Sequence, residues 1–145
     1  VFPYYFARLM MSEKSHPHTF ELMQAAILIG RALVMHFKRQ FGRIRPVQLA
    51  PDLEPMIQTP GHPSYPAGHP FQSKLMSLVL GDLRPDAAAS LIALAERIGE
   101  NREVAGVHYR SDTVAGLRLA DLAYAELKKG PYFNEVFDLA RREWQ

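Results

Sequence analysis

The chain has 145 residues, about one domain, and 48% of them are hydrophobic, so a single core can be buried. Seventeen basic against fifteen acidic residues leave a net charge of +2, too small to indicate a nucleic-acid binder or a polybasic membrane anchor. With no cysteine, disulfides and thiolate metal sites are excluded.

The opening "VFPYYFARLMM" lacks the basic and long apolar regions of a signal peptide, and it starts without Met. The expectation is a single helical domain over 1–145 that forms the C-terminal part of a longer chain. The first helical pattern runs from about Thr19 to Phe41, with Ser15 or Thr19 as a cap and Phe20, Met23, Ile27, Val34 and Phe37 near helical spacing. Arg31, Lys38 and Arg39 interrupt its apolar run, so no membrane span is expected. Pro46 is expected to end the pattern.

A Pro-rich loop follows over 46–66, carrying Pro46, Pro51, Pro55, Pro60, Pro63 and Pro66. Loops of that length are commonly functional. A second helix is expected from about Gly68 to Leu80. A third starts at Pro85 or Asp86 and ends or bends at Gly106. Ser111 caps a fourth over about Asp112 to Lys128, which stops at Gly130-Pro131, and a short last helix reaches Trp144. No strand pattern is present. The fold class is all-α, with antiparallel helices and one long functional loop.

Three polar segments ask for an explanation. In "KRQFGRIRP", Lys38 and Arg45 stand seven apart, two helical turns, so both side chains can point to one side. Two cations on one side repel unless an anion lies between them; a solvated basic helix end is the plain alternative. In "GHPSYPAGH", Pro66 leads into a helix start. Ala67, Gly68 and His69 then occupy its first turn, where backbone N–H groups lack partners and an anion can bind. Gly68 allows close approach, and His69 can exchange a proton near neutral pH. In "ENREVAGVHYRSDTVAG", Arg102 falls on a last helical turn, and Asp112 follows His108 by four positions. A carboxylate there can fix the imidazole tautomer and free the other nitrogen for attack or metal binding. Together these residues can bind a tetrahedral oxyanion and act on it.

The three segments resemble the signature of the type 2 phosphatidic acid phosphatase (PAP2) and vanadium-dependent haloperoxidase superfamily: K-x6-R-P, then P-S-G-H, then S-R-x5-H-x3-D. Here they read "KRQFGRIRP" (38–46), "PAGH" (66–69) and "NREVAGVHYRSD" (101–112), in the same order and with the same spacing. The resemblance implies a helical bundle of the haloperoxidase and acid phosphatase type, with the active site between helices. It implies that Lys38, Arg45, Arg102 and the Gly68 N–H hold the oxyanion. In a phosphatase, His108 would be the nucleophile, Asp112 its orienting partner, and His69 the acid that protonates the leaving alcohol. In a haloperoxidase, His108 would instead ligate the vanadium of a bound vanadate cofactor, and His69 would handle the protons of peroxide. Two positions depart from the pattern: Ala67 and Asn101 each stand where the family has Ser.

His62, seven before His69, resembles the bromoperoxidase version of the loop and suggests a halide or substrate pocket. The expectation is therefore a soluble, bacterial haloperoxidase-like enzyme that oxidises halide with hydrogen peroxide in a vanadate site. The alternative is a soluble acid phosphatase that hydrolyses phosphomonoesters through a phosphohistidine and needs no cofactor. A non-catalytic domain binding an oxyanion or a partner comes third. Expected partners are the small oxyanion with peroxide and halide, or a phosphomonoester, with no nucleic acid; a homo-oligomer is left open, as is the compartment.

Overall fold

The computed structural model describes residues 2–50 and 52–145. Seven helices appear among them: α1 (Phe2–Leu9), α2 (Pro17–Phe41), α3 (Pro46–Leu49), α4 (Gly68–Leu83), α5 (Ala88–Val104), α6 (Arg110–Leu127) and α7 (Pro131–Arg142). The described residues contain no strand, as the absence of alternation requires. Val1, and Pro51 of the expected loop, lie outside the described residues.

The bundle is built around α4. Its residues are apolar on nearly every side, and Phe71, Leu75, Met76, Val79 and Leu80 are fully buried. A helix apolar all round has to be central, and α4 packs against α2, α5 and α6, while α7 lies on α2. Close approach at the head of α4 depends on Gly116 of α6, where a Cβ would land on the carbonyl oxygen of Ala67. The sequence reading misses α1. Its anchor is Tyr5, buried, whose hydroxyl donates to the Ser73 carbonyl at 2.7 Å and lies 2.9 Å from Ser77 Oγ on α4.

Helix boundaries differ from expectation where capping differs. α2 begins at Pro17, after an N-cap at His16 that makes no side-chain cap bond. Neither Ser15 nor Thr19 caps it. The carboxylate of Glu143, just beyond α7, does the work from across the bundle: it accepts from the amides of His18 (2.7 Å) and Thr19 (2.9 Å) and from Thr19 Oγ1 (2.7 Å). α2 ends at Phe41 because Gly42 takes the left-handed conformation, φ 58°, and its N–H closes on the Lys38 carbonyl. Pro46 therefore opens α3 rather than ending α2, as suits a residue without an N–H. α5 starts at Ala88, later than expected, since Asp86 pairs with Arg84 instead of capping. Ser111 likewise lies inside α6, whose N-cap is Tyr109.

One helix bears on the expectation of no membrane span. The segment Pro17–Leu49 contains an 18-residue window of mean hydropathy 1.4, long and apolar enough by length and composition to cross a membrane. The core helix of a soluble protein passes the same test, so this segment does not overturn the expectation.

Candidate active site

The three polar segments meet at one end of the bundle. The chain after α2, the head of α4 and the α5–α6 connection are stitched together by backbone bonds. The Ser64 amide donates to the Arg43 carbonyl (2.8 Å), the Ala67 amide to the Asp112 carbonyl (3.0 Å) and the Met56 amide to the Ala105 carbonyl (3.2 Å). Gly106, at φ 76°, supplies the left-handed residue that turns the chain from α5 towards His108.

Lys38 and Arg45 do converge, but not as two turns of one helix. The break at Gly42 puts Arg45 at the N-cap of α3, outside α2. Both side chains are buried, at 1% exposure each, which demands partners for their charges. Lys38 Nζ donates to the carbonyls of Pro63 (2.6 Å) and Ser64 (2.9 Å). An ammonium has three N–H donors, so one remains for an anion. Burial, then the charge of Arg45, lowers the Lys38 pKa to about 8, with Asp112 opposing. Arg45 Nε donates to the His62 carbonyl (2.9 Å) and Nη1 to the Val107 carbonyl (2.6 Å), while Nη2 lies 3.1 Å from His62 Nδ1. The third cation differs. Arg102 Nε is buried and has no hydrogen-bond partner among the described residues, and the charge of Arg102 is felt at both Arg45 and His69.

His108 is held between opposite charges. Its Nδ1 lies 3.1 Å from Asp112 Oδ2 and its Nε2 3.4 Å from Arg45 Nη1. A carboxylate can only accept and a guanidinium can only donate. Nδ1 therefore carries the proton and Nε2 presents a lone pair to the cation cluster. Burial lowers the His108 pKa; the Asp112 hydrogen bond opposes this, and the charges of Arg45 and Lys38 add to it, leaving the ring neutral at neutral pH. Burial pushes the Asp112 carboxyl up, but hydrogen bonds from His108 and the Tyr109 amide (3.1 Å) and the charge of Arg43 outweigh it and hold it below the ordinary carboxylate range.

Ala67 is the N-cap of α4, fully buried and without a side-chain cap bond, rather than part of its first turn. Gly68 is the first helical residue. A Cβ there would meet only Val34 Cγ1, at 3.6 Å, an ordinary contact. No protein neighbour requires glycine at this position. His69 stands exposed at the rim. The protein around its ring still lowers its pKa to about 4, and Arg102 adds to the effect. His62 lies against Arg45 and borders a cavity of about 380 Å³ that also meets Arg43, Gln48 and Thr59.

The sequence reading overlooks Arg43. Its Nη1 donates to Asp112 Oδ1 at 2.9 Å and to Ser111 Oγ at 2.6 Å. A basic residue two before Arg45 in "GRIRP" is the only sequence signal.

The helical bundle thus gathers three cations, a helix N-terminus and a carboxylate-held histidine, a set of groups whose chemistry suits a tetrahedral oxyanion. The PAP2 superfamily model matches residues 21–127, most of the chain, and the protein belongs to that superfamily. The chain is 29% identical over 140 residues to a non-specific acid phosphatase of Salmonella typhi, covering 92% of this chain and 55% of the relative. It is 36% identical over 80 residues to an acid phosphatase of Zymomonas mobilis, covering 55% of this chain and 30% of the relative. It therefore spans about half or less of the length of these relatives. Among solved structures, it is similar to a transmembrane PAP2 type phosphatidylglycerolphosphate phosphatase from Bacillus subtilis. The TM-score is 0.56 at 24% identity, over 74% of this chain and 56% of that one, which bears on the fold.

Proposed function

We propose that this domain hydrolyses phosphomonoesters, with His108 as nucleophile. The observation that carries the reading is the pair of contacts on one imidazole: Asp112 on Nδ1 and the Arg45 guanidinium beside Nε2. The lone pair that attacks phosphorus is thus aimed at the place where the cations would hold a phosphoryl group.

Lys38, Arg45, Arg102 and the Gly68 amide would bind the three non-bridging oxygens and stabilise the charge that gathers on them in the transition state. Nε2 of His108 forms the N–P bond as the ester P–O bond breaks. The Nδ1 proton stays on the ring, and Asp112 stabilises the cationic phosphohistidine. The alkoxide takes a proton from His69 and leaves as the alcohol. His69, now neutral, removes a proton from water, whose oxygen attacks phosphorus; phosphate departs and His108 regains its lone pair. Burial, and then the charge of Arg102, lower the His69 pKa, so it holds a proton most readily in acid or with an anion among the cations, which suits an acid phosphatase. His62 supports Arg45 in this reading.

The comparisons favour this alternative over the expected haloperoxidase, since the curated relatives named above are acid phosphatases. No cofactor is required. Vanadate, a mimic of five-coordinate phosphorus, would enter as an inhibitor. The same donors would also hold it as a cofactor, so two assays on one preparation decide. Hydrolysis of an aryl phosphate should be measurable and lost in His108→Ala. Bromide oxidation by peroxide with added vanadate should stay at background. The reverse pattern would overturn the reading.

A further inference from the structure

We propose that Arg43 is a positioning residue, which sets the orientation and basicity of His108 through Asp112. The side chain of Asp112 is fully buried, and its two oxygens face different tasks. Oδ2 accepts from His108 Nδ1 and from the Tyr109 amide, both at 3.1 Å. Oδ1 accepts from Arg43 Nη1 at 2.9 Å. The guanidinium is itself fixed by Ser111 Oγ at 2.6 Å and by stacking 4.1 Å over the Tyr109 ring. Arg43 thus clamps the carboxylate from the rim, at 37% side-chain exposure, without reaching the imidazole.

The consequence is chemical as well as geometric. A buried carboxylate whose main partner is an imidazole favours the imidazolium, which has no lone pair to attack with. A cation on the second oxygen withdraws some of that negative charge. The other charges facing His108 are Arg45 and Lys38, from the chain at and after α2, and Asp112 in the first turn of α6; the His69 ring is near enough to feel its charge. Arg45 and Lys38 have carbonyls to hold as well. Among the lysines and arginines of the described residues, Arg43 alone pairs with the Asp112 carboxylate at salt-bridge distance.

The kinetic part of this inference rests on the phosphatase reading; the spectroscopic part does not. Nitrogen-15 NMR of the His108 ring, without substrate, should show its pKa raised in Arg43→Gln. The shift should reach at most about one unit, the low end for a neighbouring charge, since Arg43 acts through Asp112 and is partly solvated. In the same variant the acid limb of kcat/KM against pH should move up by the same amount. The maximal kcat should fall roughly 10–100-fold, as when outer partners of a reactive histidine are lost. Arg43→Lys should recover most of both. Arg43→Met, which keeps the stem, replaces Arg43→Gln if that variant does not fold. An unchanged His108 pKa, with activity lost only in step with melting temperature, would reduce Arg43 to a loop tether and overturn the proposal. If the wild type hydrolysed no phosphomonoester, the phosphatase reading would fail while the NMR result still decided the role of Arg43.

Discussion

Nη1 of Arg45 lies 3.4 Å from Nε2 of His108, on the side of the ring opposite Asp112. An always-charged donor facing that nitrogen determines which tautomer the site stabilises. Asp112→Asn should undo this, because an amide can donate to Nδ1 and drive the proton to Nε2. In a serine-protease triad the equivalent change lowers kcat about 10⁴-fold. A loss of that order, with phosphate affinity reduced far less, is expected from steady-state kinetics and product inhibition.

His69 gives a pH signature. Its pKa of about 4 reflects desolvation and the nearby Arg102. An anion among the cations should raise it, so binding takes up a proton. Affinity for sulfate, which stays a dianion here, should therefore strengthen as pH falls from the bound-state pKa towards about 4. The limit for one coupled proton is about tenfold per pH unit. Calorimetric titrations across that range test this, and His69→Gln should flatten the slope. An equal slope in the variant would assign the proton elsewhere.

Gly68→Ala separates fold from site. The added methyl meets nothing closer than 3.6 Å in the protein, so thermal stability should hold or rise slightly. Phosphate, which would approach that backbone, should bind at least about tenfold more weakly, a loss of about 1.4 kcal/mol. Unchanged phosphate affinity would place the anion away from the head of α4.

Ala67→Ser should act on both. Ala67 is an N-cap without a capping side chain, and a serine hydroxyl there can accept from the second or third amide of α4. The gain should be about 0.5–2 kcal/mol in chemical denaturation. This follows from a position that differs from the expectation from sequence, which placed the residue in the first turn. Anion affinity should tighten several-fold if the hydroxyl also reaches the ligand.

Legibility from sequence followed chain locality. His108 and Asp112 are four apart on and beside one helix, so their contact could be read from spacing. The Lys38–Arg45 convergence was also foreseen, but for the wrong reason: a left-handed glycine and a second helix start, rather than two turns of one helix, bring them together. Arg43 and Asp112 are 69 residues apart, and nothing in local pattern joins them. The same holds for Glu143, whose carboxylate caps a helix that begins at Pro17.

Glu143→Ala tests that long-range cap. Losing the acceptor for two amides and a hydroxyl should cost about 1–2 kcal/mol in urea unfolding. Sulfate affinity should stay at the wild-type value, because the cap lies outside the anion site.

The measurement that bears most directly on the account is the capture of the covalent intermediate. Enzyme mixed with an aryl phosphate and quenched in alkali, where phosphohistidine survives, should yield a peptide carrying one phosphoryl group on His108. The label should be absent in His108→Ala and should accumulate in His69→Gln supplied with an activated ester. Label on His69, or brisk hydrolysis by His108→Ala with no labelled histidine, would contradict it.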